Sequence, residues 1–598
     1  MRSKTSYFNA TVFRKHLSRL WPLAVMFTLV LFLGIFMPIF HETMNSGYGS
    51  LPGAAKLYAD VQSDRMYMAD GMLDSITDGW PIVLMLYSTS LAIFLFSYLM
   101  NARQAIGLHA TPLRRETHFL SAMAAGFTCI AGPFVFIALL ISIVTAWGGL
   151  FVPEILIWLL VSILEGLFFL CLAALCMQAT GITFFGGILA LIMNFIFPGL
   201  ELVVSIMTSS FVYGYDGNLS GVTLPLSPCM KMVSGHDLIE YGYQQANTFI
   251  GWGYIAAMTA AGLLLAALAL LLYRRRPLES AGDAIAHGFL KPIFKYAFSA
   301  GCAVVLGYIF YNLLFPRYDV IGWPYLTVCL MAGGAIGLLA AEMMLRKSLK
   351  VLGHAKKGMA IACAALLCCC LVLGLDILGL ARRLPDADKI EMVQLSAGQN
   401  GYLQITDPQG IAAVRDANRQ AAKEGPPPQD FWWLNIYIQY VMKDGSYVTR
   451  RYQLAEDTAQ LNDPQSAASQ ITAILNNPDL ILANLGDLSL VNSIELDTYG
   501  GSEVVSGQDM RQLLDAIVAD IRAGTLGSFA FDFERESYDD SRYLTLYLNR
   551  QNSEYNRFYN IGSFDVPEDS AAVRTFLESK DYFGLSAPPL INSEKTPH

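Results

Sequence analysis

The chain has 598 residues, 54% of them hydrophobic and only 15% charged, and its mean hydropathy of +0.42 lies outside the range of ordinary water-soluble domains. Charge is unevenly spread: residues 1–383 carry 24 Lys and Arg against 18 Asp and Glu, whereas 384–598 carry 16 against 31. A basic membrane part thus precedes an acidic soluble part, and the lack of any Lys/Arg-dense run in the latter argues against a nucleic-acid partner.

A bilayer core about 30 Å thick is crossed by roughly 20 apolar residues in a helix. Nine segments meet that length: 20–40, 80–100, 119–147, 155–177, 182–207, 250–273, 296–315, 321–344 and 359–380. No small-residue cleavage site follows "GIFMPIF", so the first is expected to be a span rather than a removed signal. "QATG" joins the fourth and fifth as a tight helical hairpin. With the N-terminus in the cytoplasm, the inside segments hold 18 Lys and Arg and the outside loops 4. That bias predicts a cytoplasmic N-terminus and an extracytoplasmic segment from 381 onward. Only Arg382 and Arg383 run against it.

Two basic segments stand out on the predicted cytoplasmic side. In "NARQAIGLHATPLRRETHFL" (101–120), a short helix breaks at Thr111-Pro112 and Arg114-Arg115 lead into the third span. Taken alone this is an ordinary basic loop. In "YRRRPLESAGDAIAHGFLKPIFKY" (273–296), Arg274, Arg275 and Arg276 stop the sixth span at the lipid headgroups. Pro277 suits the first turn of a new helix, with Glu279 near its positive end. Ala281, Ala284, Ile285, Phe289 and Phe294 give that helix an apolar side. From the residues alone it is an amphipathic interfacial helix with a stop-transfer cluster.

Four carboxylates fall within or beside spans: Glu165, Glu201, Glu342 and Asp376. Glu342 can pair with Arg346 one turn on, and Glu201 and Asp376 lie toward outer ends. Glu165, in "SILEGLFF", is near mid-span, where an ionisable group is costly and a functional candidate. A packing or partner contact ranks ahead of a proton relay there. Nine of the ten cysteines lie in or beside apolar segments, where cysteine acts as a small apolar residue, and Cys229 stands alone in a loop. No Cys/His spacing suggests a metal, and the eight scattered histidines form no catalytic constellation. No catalytic, cofactor-binding or metal-binding residue is therefore assigned.

From Leu384 the pattern turns to alternating strands and polar helices. "LNIYIQYVMKDGSYVTRRYQL" reads as a hairpin around Asp444-Gly445, and helices are expected at 409–423, 464–476, 507–523 and 567–579. The order strands, helix, hairpin, helix occurs twice, which predicts an α+β domain of two similar lobes, 384–490 and 491–598. The Pro-rich "EGPPPQDFWW" (424–433) is a rigid connection inside the first. "LSAGQ" at 395–399 matches the signature sequence of ATP-binding-cassette ATPases by chance: no G-x-x-x-x-G-K-[ST] loop exists to hold phosphates.

"RRRPLESAGDAIAHGFLKP" (274–292), "AEMMLRKSLKVL" (341–352) and "LARRLPDADKIEMV" (380–393) resemble the permease subunits of a bacterial ATP-binding-cassette exporter family, in a Gram-positive subgroup with an extracytoplasmic C-terminal domain. The resemblance implies a six-span permease core (1–273), a cytoplasmic connector helix (274–295) and three additional spans (296–380) in the plasma membrane. It also implies a cytoplasmic ATPase as a separate subunit holding the ATP, and a second permease as homodimer or heterodimer partner. In the family the loop between spans two and three docks on the ATPase. "HATPLRR" occupies that place, giving His109, Thr111, Pro112, Arg114 and Arg115 as docking candidates, with Arg274, Arg275, Arg276, Glu279, Arg346 and Lys347 completing the face. The loop 208–249 occupies the place of outward re-entrant helices. Whether "RRRPLESAG" meets the ATPase or rests on lipid stays open. The expected function is export of an unidentified substrate. One rival is an envelope-stress or antibiotic sensing complex in which the outer domain binds the compound and nothing crosses. A membrane acyl- or glycosyltransferase is the other, and it lacks the clustered acid/base residues it would need.

Overall fold

The computed structural model describes residues 7–580 except 46–57, 148–151, 217–222, 236, 241–246, 316–322, 381–382, 398–399, 426–432, 456–457, 499–500, 527–543, 553–556 and 567–569. Among the described residues eight helices are long and apolar enough to cross a membrane, and one bent pair makes a ninth if taken as a single span. The chain is a helical multi-pass membrane protein with a smaller sheet-containing C-terminal region. It divides into two compact units: Met1–Val204 with Leu219–Phe310 and Val328–Leu366, and Ser205–Asn218 with Tyr311–Thr327 and Leu367–His598.

In the first unit α1 (Ala10–Leu31) runs through a π-helical turn, Phe32–Phe36, into α2 (Met37–Asn45). Pro38 has no N–H to donate to Gly34, and the Met37 N–H reaches back to the Phe32 carbonyl instead, so the turn widens there. Next come α3 (Tyr58–Thr77), α4 (Trp80–Phe96), the short α5 (Ala102–His109), α6 (Arg115–Trp147) and α7 (Glu154–Ala179). The sequence reading did not contain α3, whose four aspartates in "YADVQSDRMYMADGMLDSIT" hide its apolar face.

α7 is the central helix. Its second half is buried on every side, from Phe168 to Ala174 and from Cys176 to Ala179, against α4, α6 and α11 (Trp252–Arg275). Small residues allow this close approach, since no hydrophobic force holds helices together in lipid. A Cβ on Gly126 would sit 2.7 Å from Leu95 Cδ1, and one on Gly166 2.8 Å from Ile130 Cγ2.

Two helices meeting at a bend occupy the place of the predicted fifth span. α8 (Thr183–Asn194) and α9 (Ile196–Phe211) meet at 64°. Pro198 cannot donate to the Asn194 carbonyl, which accepts the Ser227 hydroxyl at 2.5 Å instead. Between α9 and α11 the described residues hold β1 (Gly214–Asp216), α10 (Pro228–Val233), β2 (Ile239–Glu240) and β3 (Thr248–Phe249), in the stretch that the resemblance likens to outward re-entrant helices.

α12 (Leu290–Leu314), α13 (Trp323–Arg346) and α14 (Leu352–Gly374) supply the remaining apolar helices. Within the first unit a Cβ on Gly307 would lie 2.8 Å from the Leu330 Cα, and one on Gly337 2.3 Å from the Cys302 Cβ. Glu342, nearly buried, accepts from Lys295 at 3.1 Å and from Arg346 at 3.0 Å. Only the Arg346 pair was readable from spacing.

The second unit holds two antiparallel sheets. In one the order is β1-β7-β6-β4-β5, with β4 Ile390–Ala397, β5 Asn400–Ile405, β6 Trp433–Met442 and β7 Tyr447–Ala455. The other is ordered β11-β10-β8-β9, with β8 Ser493–Thr498, β9 Gly501–Ser506, β10 Leu544–Asn552 and β11 Arg557–Asp565. Apart from β1 the two orders are the same. Helices Pro408–Glu424 and Ala467–Leu475 serve the first, and Gly507–Ala523 and Ala571–Lys580 the second. Period-two alternation puts Val393, Leu395, Ile436 and Ile438 into one core and Ile494, Leu496, Leu546 and Leu548 into the other. Asp520 is 3% exposed and accepts the backbone N–H groups of Ala572 and Val573 at 3.0 and 2.9 Å, at a helix start where negative charge is favoured. The "LSAGQ" segment places Leu395–Ala397 in β4, with Gly398 and Gln399 outside the described residues, as is most of the Pro-rich 424–433 connection.

β1 joins this sheet from far upstream. The Tyr213 hydroxyl donates to the Gln453 carbonyl at 2.6 Å across a separation of 240 residues. Gly214 has φ +81°, and a Cβ there would lie 2.1 Å from the Tyr452 ring. Only glycine fits. Arg450, 2% exposed, donates to the carbonyls of Leu380 and Arg383 at 3.1 and 2.6 Å and lies over the Tyr215 ring at 5.1 Å.

Candidate functional site

The expected connector helix over 274–295 is absent. α11 continues to Arg275, a single 3-10 turn covers Leu278–Ser280, and the chain is irregular until α12 begins at Leu290. Two facts defeat the amphipathic-helix reading. Gly282 takes φ +86°, and Ala284, Ile285, Ala286 and His287 are all buried rather than laid on one apolar side. The segment is a strap across the end of α7. Gly181 and the strap exchange hydrogen bonds, Gly181 N–H to the Asp283 carbonyl at 3.0 Å and Gly282 N–H to the Gly181 carbonyl at 2.8 Å. The Ala286 N–H adds a third bond to the Ala179 carbonyl at 2.9 Å. A Cβ on Gly181 would meet the Ser280 carbonyl oxygen at 2.1 Å.

Arg276 is the pin of this strap. It is 4% exposed, and its Nη1 donates to the Met177 and Gln178 carbonyls at 2.8 and 3.2 Å. These carbonyls end α7, where a cation meets both orphan acceptors and the negative end of the helix dipole. Burial pulls Arg276 down to about 10, so it stays charged at neutral pH. Burial, with Arg276 nearby, also lowers His287. Arg115 does the same for α11: its Nη1 donates to the Arg274 and Arg276 carbonyls at 3.0 and 3.1 Å. Beneath them the Tyr98 and Tyr273 hydroxyls share a buried hydrogen bond of 2.9 Å.

The candidate docking residues therefore separate. Arg115 and Arg276 are committed to backbone carbonyls. Exposed at the surface are Thr111, Pro112, Arg114, Arg275 and Glu279, with Arg274 half-exposed and paired to Glu116 at 3.0 Å. Arg114 also lies 5.9 Å from the Tyr7 ring. Arg346 is turned back to Glu342, and Lys347 meets Asp283 of the strap at 2.7 Å. The His109 side chain lies outside the described residues. α5 packs against the Leu278–Ser280 turn and leaves Arg103, Gln104 and Ile106 exposed, Ile106 by 57%. Neither α5's apolar tip nor its bracing turn was legible in the sequence.

Glu165 is 2% exposed, and its Oε1 has no hydrogen-bond partner among the described residues. It lines a small cavity with Ser75, Ser162, Trp80 and Trp158. Cys229, read as a loop residue, is buried in α10, its thiol pushed up to about 12 by burial first and the nearby Glu165 second. The Thr223 hydroxyl donates to Glu201, and Asp376, at φ +45°, accepts the Leu380 N–H at 2.6 Å. These two carboxylates serve local structure. Asp70, Asp74 and Asp78 line an open cleft with His41 and Trp80, which the sequence reading missed although their i, i+4, i+8 spacing was visible. Among the described residues no group of three His, Cys, Asp or Glu side chains could hold a metal ion. No family model, curated protein or solved structure matches this chain.

Proposed function

We propose that this chain is the membrane-spanning permease subunit of an ATP-binding-cassette transporter of the bacterial plasma membrane, moving a substrate with energy from a separate cytoplasmic ATPase. The observation that carries the reading is α5: a short helix between two spans, at the Lys/Arg-rich end, exposed on one side and braced on the other by the strap. A peripheral motor needs a stiff element through which to push. Arg276 and Arg115 supply stiffness by fixing the strap to the ends of α7 and α11. The exposed arginines around α5 suit the carboxylates of a partner. In this reading the basic end is cytoplasmic and the C-terminal region extracytoplasmic, and two permeases, alike or different, pair around the path. ATP binds on the partner chain.

The test is ATP-driven movement. Native complex carrying a tagged copy of this chain is purified, reconstituted in vesicles and assayed for hydrolysis and nucleotide-dependent uptake of dye panels. ATP hydrolysis that depends on this chain, together with accumulation, supports the reading. Absence of any co-purifying ATPase would remove it.

One observation favours a second reading, a sensing or resistance complex. β1 stitches the segment after α9 into the C-terminal sheet, so a compound bound by that sheet would strain the membrane segment directly. Hydrolysis stimulated by an envelope-active compound without its movement would select it.

A further inference from the structure

α3 carries an acidic row that docking on an ATPase does not use. Asp70 and Asp74 lie one turn apart on the helix, and Asp78 continues the row just past its end. Acids at the last turn of a helix stand at its negative end, where they cost stability. Among the described residues no lysine or arginine pairs with Asp70 or Asp74, and Asp70 accepts the Asn247 backbone N–H at 2.8 Å. Burial, then Asp78, then Asp70 raise Asp74 above the usual carboxylate range. The row lines an open cleft of about 570 Å³, walled by Tyr67, Trp80, Ile35 and Ile39 with His41 at its edge. That size and mixture of aromatic, apolar and acidic walls suit a small organic molecule.

A second, independent observation points to a ligand. Glu165, 2% exposed and with Oε1 unpartnered among the described residues, lines a cavity of about 10 Å³, room for about one water. Ile35, Ser75 and Trp80 line both this cavity and the cleft, so the buried carboxylate stands behind the cleft's inner wall. The π-helical turn forms part of the same wall, and Gly34 lets the Trp80 ring come within 2.5 Å of where a Cβ would be.

We infer that this cleft binds an organic cation, an ammonium or comparable onium group on an apolar body, with the Asp70–Asp74–Asp78 row as entrance charge and Glu165 as the inner counter-charge. Carboxylates neutralise the head, while Trp80 and Tyr67 offer faces for cation–π contact. A bare metal ion is a poorer occupant, because no three ligands converge among the described residues. Naming the cation as the transported molecule rests on the permease reading; the binding itself does not.

The experiment uses the full chain in zwitterionic nanodiscs, without nucleotide or partner, and titrates tetraphenylphosphonium, whose charge is fixed. Empty discs are subtracted, and triphenylphosphine oxide serves as the uncharged control. Saturable binding of the cation is expected, weakened roughly tenfold in Asp70→Asn/Asp74→Asn/Asp78→Asn and severalfold in Glu165→Gln. The uncharged control should bind weakly and equally to all. Unchanged affinity in the triple variant, or equal binding of the uncharged control, overturns the site. If the triple variant does not fold, Asp74→Asn alone decides: about threefold loss supports the site and none overturns it. Failure here leaves ATP-driven movement unaffected as a question, and failure of ATP-driven movement leaves this binding intact.

Discussion

Arg276 donates through Nη1 to the Met177 carbonyl at 2.8 Å, 99 residues upstream, and so fixes the end of α11 to the end of α7. The same Nη1 reaches the Gln178 carbonyl, and Nη2 points to the Met100 sulfur at 3.4 Å. Three elements thus converge on one buried cation. Removing it strands two helix-end carbonyls away from water, which costs about 1–3 kcal/mol each.

Arg276→Met should accordingly lower the thermal midpoint of the detergent-solubilised chain by several degrees. Arg276→Lys keeps the charge without the planar fork and should fall between. Arg275→Ala, one residue away and exposed, should change stability by less than about 0.5 kcal/mol. Equal effects of the 275 and 276 substitutions would sink the bracing role. The readout is fluorescence-detected size exclusion after heating.

Gly181→Ala should loosen the strap without touching any charge. Its Cβ would lie 2.1 Å from the Ser280 carbonyl oxygen and 2.5 Å from that of Asp283, and backbone atoms cannot rotate aside. Protease cleavage between Pro277 and Phe289 should rise in this variant. Gly288→Ala, whose Cβ would meet nothing within 4 Å among the described residues, should cleave like the parent.

Much of this architecture was legible because membrane insertion is a coarse filter. Long apolar runs and the period-two strands of 436–440 and 494–496 announce themselves. The strap did not, because its alanines and Ile285 read equally well as one side of a helix; what decides is Gly181 in another segment, beyond any local pattern. α3 was missed for the opposite reason. Its aspartates made a helix with one buried face look like a loop, although Met68, Met72, Leu73 and Ile76 repeat at helical spacing. Glu165 was legible as an anomaly, but its cavity is built by residues from Phe27 to Ser162 that only the fold brings together.

Acidity should switch the cleft off. Asp70 and Asp74 titrate above ordinary carboxylates because burial disfavours their charged forms. As pH falls through that raised range they gain protons, and affinity for tetraphenylphosphonium should drop at a higher pH than an exposed carboxylate would allow. Among the described residues His41 lines the cleft with the row, Glu165 lines the adjoining cavity with Ser75, and Lys231 on the neighbouring α10 is already paired with Asp237. A charging His41 would weaken binding in the same direction, so the profile is repeated in His41→Gln, where the loss should persist. The same shift has a stability sign: the folded state holds these protons more tightly than the unfolded chain, so the two groups destabilise at neutral pH and less so in acid. Asp74→Asn should therefore raise the thermal midpoint at pH 7.5 while weakening cation binding. A lower midpoint would mean that Asp74 serves the fold.

The last prediction separates docking from structure on the basic end. Arg114 and Arg115 are neighbours in sequence with different surroundings: Arg114 is exposed, whereas Arg115 donates to the carbonyls of Arg274 and Arg276. Arg115→Glu replaces two charge-assisted hydrogen bonds by repulsion against the same carbonyls, and should cost folded protein whatever the partner. Arg114→Glu combined with Arg275→Glu alters exposed side chains beside α5, and should leave yield, elution volume and thermal midpoint within error. Under the permease reading that second variant should nevertheless lose the co-purifying ATP hydrolysis, since two attractive contacts become repulsive ones. An alternative role for both arginines is holding anionic lipid, worth about 1 kcal/mol per residue. Lipid anchoring predicts reduced retention of anionic lipid on the purified chain with hydrolysis intact. Loss of hydrolysis with lipid retention unchanged assigns the pair to the motor. Intact hydrolysis moves docking to the exposed Ile106 side of α5, where Ile106→Glu is the next substitution to make.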